Sequence, residues 1–400
     1  MARACEMSTD APYAGLRVLD LGQGIAAPHC GMLLAMHGAE VVKLEPVAGD
    51  WSRGLGTRYG HHTAMSAQFN RGKRSLALDL KAPAGRDIAI RLAAQADIVI
   101  EGFRPGVAAR LGLGYEALRT RDPRLIYVSV SGFGQQGPNI DLPCTDSVAQ
   151  AFSGLVAVNL GNDGTPHRVG ALIVDALTGL YAAQAVGVAL FTRERHGVGR
   201  WIEVSLAQCA AAVLGHKLAE HGLENGMPKV LNVPTGSYPT RDGWIMVALI
   251  RESDFGRLAG VLGRPEWAAD PRFATFPARA DNATALLGMM RAIVATQTTA
   301  HWLQRLRAAE VLADRVNGFD DWLADPHVVA TGGAVTVAQP GMGSFRTPRT
   351  PGVPPEAEAR LGPAPGIGEH GTAILGELGL DDAAIAGLAA DGVLGLPEAG

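Results

Sequence analysis

The sequence predicts an α/β protein with a mainly parallel sheet covered on both faces, followed by a smaller α+β domain. Three observations lead there. Short apolar runs alternate with stretches of helical apolar spacing through the first part of the chain; glycine turns join strand to helix; and the pattern changes character after residue 222.

"LRVLDLGQGIAAPHCGMLLAMHGAEVVKLEP" reads as strand, glycine turn, helix and strand, a βαβ unit. "RSLALDLKAPAGRDIAIRLAAQADIVIEGF" repeats the alternation, with Pro83 suited to a first helical turn and Asp97 ahead of a β-branched run. "LIYVSVSGFG" is a further strand. An apolar helix near residues 146 to 157 follows, then the long apolar run "GALIVDALTGLYAAQAVGVALF", the strand "WIEVSL" and a helix from about Ala207 to Gly222. "LENGMPKVLNVPTG" is polar and punctuated by Gly and Pro, as a domain boundary would be. "GSYPTRDGWIMVAL" predicts a hairpin turning at Asp242 and Gly243, and "DFGRLAGVLG" and "LLGMMRAIVATQTTAHWLQRLRAAEV" have helical spacing. From Gly332 to about Gly368 the chain is rich in Pro and Gly with few runs long enough for an element, and a final helix pair is expected near residues 369 to 391.

Composition narrows the function. With 47% hydrophobic and 18% charged residues, the 400-residue chain is an ordinary globular protein, long enough for two domains. A net charge of -4 gives no support for a nucleic-acid or anionic-membrane partner, because counterion-driven binding needs a basic surplus. Cys5, Cys30, Cys144 and Cys209 form no CxxC pair, so neither a disulfide framework nor a thiolate zinc site is expected, and a reducing cytoplasm fits. "MARACEMSTDAPYAG" lacks the apolar core of a signal peptide and reads as a loose leader. The run around Asp175 is long enough to span a bilayer, but its glycines and central carboxylate favour a buried helix. A buried acid there can be structural or catalytic.

Two motifs suggest an anionic ligand. "GQGIAA" matches a relaxed dinucleotide fingerprint, and Glu45 ends the second strand where an acid would meet a ribose, which admits an NAD-dependent oxidoreductase. The same small residues also serve simply to pack the turn. Arg71, Lys73, Arg74 and Lys81, with Arg104 and Arg110, form a basic cluster suited to a phosphorylated ligand or, equally, to a solvated face. His61 and His62 are adjacent rather than at ligand spacing, so no metal site is expected.

The stretches "GLRVLDLGQGIAAPHCGMLLAMHGAEVVKLEP", "NRGKRSLALDLK", "ADIVIEGFRPGVAARLGLGYEAL", "PRLIYVSVSGFGQQGP", "GRWIEVSL", "YPTRDGWIMVAL", "LGRPEWAADPRF" and "GIGEHGTAILGELGL" occur in order over nearly the whole chain. Together they resemble the family III coenzyme A transferases, a group that includes formyl-CoA and carnitine CoA-transferases and the α-methylacyl-CoA racemases. The resemblance implies a large Rossmann-like domain (1–222), an inserted small α+β domain (223–331) and a C-terminal segment returning to the large domain (332–400), in an interlocked homodimer. It implies Asp175 as the nucleophile, forming a mixed anhydride and then an aspartyl-CoA thioester, with small neighbours such as Gly170, Ala171 and Gly179 letting the thioester approach. The helix N-terminus or nearby donors are expected to keep Asp175 ionised.

The same resemblance places Ile25 and Ala26 at the adenosine turn, Leu78 and Lys81 along the next stretch, and Gly102, Phe103 and Arg110 at the rest of the CoA site, Lys81 and Arg110 being the phosphate partners. No prosthetic group is implied; the CoA thioester is a substrate, and a carboxylic acid accepts the CoA. Pro46 stands where formyl-CoA transferases have an arginine. Racemases carry a histidine and an aspartate where this chain has Thr145 and Asp146, and Thr is no general base near neutral pH, which favours transfer over racemisation. Asp146 is a candidate for binding or orienting the acceptor, or an N-cap of the helix that follows, and Thr145 beside it is a further candidate substrate residue. "IRESDF" replaces the glycine run of formyl-CoA transferases, disfavouring formyl and oxalyl substrates, and Arg241 and Arg251 are candidates for the second carboxylate of a dicarboxylic acceptor.

Overall fold

The structure is a computed structural model that describes residues 11–160, 164–226 and 232–397. Most of the expected leader and residues 227–231 of the expected boundary stretch lie outside the described residues. The chain divides into two compact units, Met1–Gly215 with Ala334–Gly400, and His216–Gly333.

The first unit is built on strands β1 (Arg17–Asp20), β2 (Glu40–Glu45), β3 (Arg74–Leu78), β4 (Ile98–Glu101), β5 (Ile126–Ser131) and β6 (Arg200–Ser205), all parallel, in the spatial order β3-β2-β1-β4-β5-β6. This is the doubly wound order in which the chain reverses direction at β1, leaving a crevice beyond the carboxyl ends of β1 and β4. The nine helices introduced for this half are α1 (Ala26–Met36), α2 (Ala64–Phe69), α3 (Pro83–Ala93), α4 (Val107–Arg110), α5 (Tyr115–Arg119), α6 (Asp146–Ser153), α7 (Leu155–Val158), α8 (Ile173–His196) and α9 (Leu206–Ala212).

Alternation along each strand feeds two cores. Val18, Ile98, Ile100, Ile126 and Val128 face α1, α8 and α9, while Leu19, Leu44, Leu76, Val99 and Tyr127 face α3 and the C-terminal helices. Both faces of the sheet are buried, which is why the strands read as continuous apolar runs. Gly154, at φ +91°, ends α6 and starts α7, so the single helix expected over 146 to 157 is two. Likewise the helix expected from Ala207 to Gly222 is α9 and a separate helix, Gly215–Leu223.

Along α8, Val174, Thr178, Ala182, Val186, Ala189 and Arg193 are buried at helical spacing. This helix is long and apolar enough to cross a membrane by length and composition alone, and it packs instead on α1, β5, β6 and α9 of its own unit. Its other face exposes Leu180, Tyr181, Val188 and Phe191.

In the second unit, the expected hairpin forms from β7 (Gly236–Pro239) and β8 (Trp244–Ala248), and β9 (Leu312–Arg315) adds a third antiparallel strand. Tyr238, Ile245, Phe255, Phe273, Met290 and Trp302 centre its own core. The Pro- and Gly-rich stretch after Gly332 differs from expectation. It contains an antiparallel pair, β10 (Ala334–Gln339) and β11 (Gly343–Pro348), and the short helix Pro355–Arg360. After the helices Gly371–Glu377 and Asp382–Ala390, β12 (Leu394–Gly395) closes the main sheet antiparallel to β3.

Candidate active site

Asp175 is the third residue of α8, half-buried in the first turn. The first N–H groups of a helix have no intrahelical partner, and the residue before α8, Leu172, makes no side-chain cap. The cap comes from another helix. Asp146, the first residue of α6 and almost fully buried, accepts the backbone N–H of Val174 at 2.7 Å and of Asp175 at 3.1 Å through Oδ2. Its Oδ1 accepts Nε2 of Gln150 at 2.6 Å, and Gln150 Oε1 accepts the N–H of Val169 at 2.8 Å. Asp146 therefore does cap a helix, but α8 rather than its own. Thr145, the N-cap residue of α6, is exposed and makes no cap bond with its side chain.

This arrangement changes the electrostatics expected of Asp175. Burial and the negative charge of Asp146 push its carboxyl up to about 7. The helix N-terminus does not hold Asp175 firmly ionised as expected, because two of the free N–H groups that would stabilise an anion there are already given to Asp146. Asp175 is thus a far weaker acid than an exposed aspartate, and correspondingly a more basic carboxylate once ionised.

The helix is also pinned from α1. Nδ1 of His29 donates to the carbonyl of Ala176 at 3.0 Å, and burial lowers the ring to about 4, so it is neutral at physiological pH. Gly179 allows this contact: a Cβ there would stand 2.7 Å from the Ala26 carbonyl oxygen and 2.6 Å from the His29 Cβ. Gly179 serves close helix packing, not the approach of a thioester as expected. Gly170 and Ala171 are exposed just ahead of α8.

The N-terminus of α1 lies at the crevice between β1 and β4. Gly22 and Gly102, following those two strands, approach closely, a Cβ on Gly102 lying 3.6 Å from the Gly22 Cα. Beside them a cavity of about 490 Å³ is lined by Gln23, Pro46, Leu78, Lys81, Phe103 and Val107, among others, all at the carboxyl ends of the sheet. Three expected ligand residues, Leu78, Lys81 and Phe103, are brought together here. Ile25 and Ala26 begin α1 with buried side chains, while Gly102 and Arg110 are exposed. Burial pushes Glu101 up to about 7, and its carboxylate accepts the N–H of Phe103 at 2.9 Å, shaping the turn after β4.

The glycine turn does not work as a dinucleotide cradle. The N–H of Gly22 donates to Asp20 and that of Gly24 to Asp50, so the anions it binds belong to the protein. Lys43 bridges Asp50 at 2.7 Å and the Gly22 carbonyl at 2.9 Å; burial opposes the charge on Asp50, but Lys43 and the N–H groups of Ser52 and Gly24 hold its carboxyl below the usual range. Gly24 needs its φ of +80°, and a Cβ would strike Trp51. Glu45 is fully buried, bonded to Arg53, Ser75 and the N–H of Asp50, so its carboxylate is not presented to a ribose.

The basic cluster divides the same way. Lys73 pairs with Asp20 and Arg71 with Glu358, both buried, and Arg74 pairs with Glu377. Lys81, Arg104 and Arg110 remain exposed, and Lys81 lines the cavity. Arg241 and Arg251 are exposed in the second unit. Sequence reading missed His29 and Gln150; the spacing of Asp146 and Gln150, four apart on one helix face, was the available signal for the latter.

The model of CoA-transferase family III matches residues 13–371. The chain is 35% identical to a succinyl-CoA–D-citramalate CoA-transferase of Chloroflexus aurantiacus, over 92% of this chain and 94% of that protein. It is 35% identical to a succinate–glutarate CoA-transferase of Agrobacterium fabrum, over 92% and 96% respectively. The crystal structure of a CAIB/BAIF family protein from Brucella suis superposes with a TM-score of 0.80 at 32% identity, covering 92% of this chain and all of that one.

Proposed function

The chain belongs to CoA-transferase family III, and from that premise we propose that it moves coenzyme A between dicarboxylic acids, with Asp175 as the nucleophile. The observation that carries the reading is the Asp175 carboxylate: half-buried, unusually basic, and held on a helix start anchored from both α6 and α1. A basic carboxylate in a partly dry site is what attack on a thioester carbonyl requires. The cavity beside Lys81 and Phe103 is the place for the nucleotide end of CoA, with Lys81 and Arg110 meeting its phosphates.

The ionised carboxylate of Asp175 attacks the donor thioester carbonyl, forming a mixed anhydride and releasing CoA thiolate. The thiolate attacks the aspartyl carbonyl of the anhydride, expelling the first acid and leaving an aspartyl-CoA thioester. The acceptor carboxylate attacks that thioester to form a second anhydride and release the thiolate again. The thiolate then takes the acceptor's acyl carbon, giving the new acyl-CoA and free Asp175. Exclusion of water matters because each aspartyl intermediate can hydrolyse.

The dicarboxylate class is supported by the two relatives, which are named for succinate or succinyl-CoA with citramalate and with glutarate. The working unit is an interlocked homodimer, in which a partner chain covers the apolar outer face of α8.

One incubation tests the reading: the protein in heavy water with a panel of acyl-CoAs and free carboxylic acids, every CoA thioester read by mass spectrometry. New dicarboxyl-CoA masses are expected. Deuterium gain on the starting thioesters without new acyl groups would instead mean α-proton exchange and overturn it.

A further inference from the structure

We propose that Asp146 and Gln150 are positioning residues of the transfer reaction, one turn apart on α6, which together fix the chain from Val169 to Asp175 and set a second carboxylate beside the nucleophile. The inference rests on Asp175 being that nucleophile. Asp146 is 2% exposed and Gln150 fully buried, so neither is placed to meet an acceptor acid. Both oxygens of Asp146 are occupied, Oδ2 by the Val174 and Asp175 N–H groups and Oδ1 by Gln150. Gln150 in turn accepts from Val169, so the segment entering α8 is held at both ends.

Two consequences follow. The first turn of α8 is pinned, which preserves the attack geometry on which rate depends steeply. Asp175 also faces a like charge, and a more basic carboxylate is the better nucleophile once it has lost its proton. The titratable groups around it fit this account. Cys144, ahead of α6, has its thiol pushed up by burial and by both carboxylates. From α9, Cys209 meets Thr178 and is likewise raised by burial, and from α1, His29 is neutral against Ala176.

The test is Asp146→Asn, which keeps an oxygen for the α8 N–H groups and removes the charge. The acid limb of the kcat profile is expected to move down by about one pH unit, and kcat at pH 8 to fall on the order of 10-fold, with KM for the acyl-CoA little changed. An unmoved limb with unchanged kcat would overturn the proposal. Isotope-edited infrared titration of the Asp175 carboxyl, with Asp175→Asn as the blank, reads the coupling without turnover and is expected to show the same downward shift. A shift in the infrared titration with no transfer by the unaltered protein would mean that the proposed function has failed while the coupling stands. Transfer by the unaltered protein with no shift in either profile would mean the reverse. Should Asp146→Asn not fold, Gln150→Ala leaves the charge and frees Val169: kcat is expected to drop about threefold or more with the acid limb in place, and an unchanged kcat would overturn the positioning role.

Discussion

Asp146 accepts the backbone N–H of Asp175 at 3.1 Å, so one acid caps the helix on which the other is presented. The bond and the repulsion come from the same pair. Asp146 stabilises the start of α8, while burial and, after it, the Asp146 charge make Asp175 reluctant to ionise.

Replacing the nucleophile separates chemistry from binding. Asp175→Ala is expected to abolish CoA transfer while leaving the affinity for CoA, measured by calorimetry, within about twofold, because a group used in bond formation contributes little to ground-state binding. Near-normal transfer by this variant would remove Asp175 from the mechanism.

The pH dependence has a definite sign. The Asp175 carboxyl titrates at about 7 in the folded protein against a reference of 3.8. The folded state therefore binds this proton more tightly than the unfolded chain. That contribution to stability is complete below pH ~4 and is lost as pH rises through about 7. Transfer is expected to rise through the same upper range as the carboxylate forms. Asp175→Asn is expected to raise the melting temperature by a few degrees at pH 8 and hardly at all at pH 4, as scanning calorimetry would show; equal effects at both would contradict the assignment.

Gly179→Ala tests the packing that holds the nucleophile. The new Cβ would meet the Ala26 carbonyl oxygen at 2.7 Å, and since that atom is backbone the helices must separate. Such overpacking costs about 1–3 kcal/mol. A lower unfolding midpoint and a reduced kcat are expected together.

At the cavity, charge reversal of Lys81 should act on binding alone. Lys81→Glu is expected to raise KM for acyl-CoA on the order of fivefold to tenfold, with the effect shrinking as salt is added. A changed kcat at saturation with KM unaltered would place the nucleotide elsewhere.

The outer face of α8 gives the last prediction. Phe191 is 63% exposed and Val188 51%. The native mass in solution is expected to be twice the 41.7 kDa of the chain, and Phe191→Glu to shift it towards the single chain. Light scattering after size exclusion measures both.

The sequence by itself determined the alternating architecture, the glycine turn after β1 and the helix bearing Asp175, because apolar periodicity, β-branched runs and glycines act through neighbours a few residues away. It also determined the family, since the matching stretches follow one another along almost the whole chain. The partners of the charged residues were decided only by the tertiary structure. Arg71 finds Glu358 287 residues away, and Lys73 finds Asp20 across 53, so two members of a cluster that looked ready for a phosphate are spent on buried ion pairs. Asp146 reaches the start of α8 across 28 residues, turning a candidate substrate contact into a helix cap. A strand as short as β12 carries too few residues to announce itself, and β10 and β11 lie in a stretch whose glycines and prolines read as loop; pairing supplies what the local pattern lacks. A carboxylate's acidity belongs to the same class, because it depends on which N–H groups, charges and water the fold leaves to it, and these are set by residues distant in sequence.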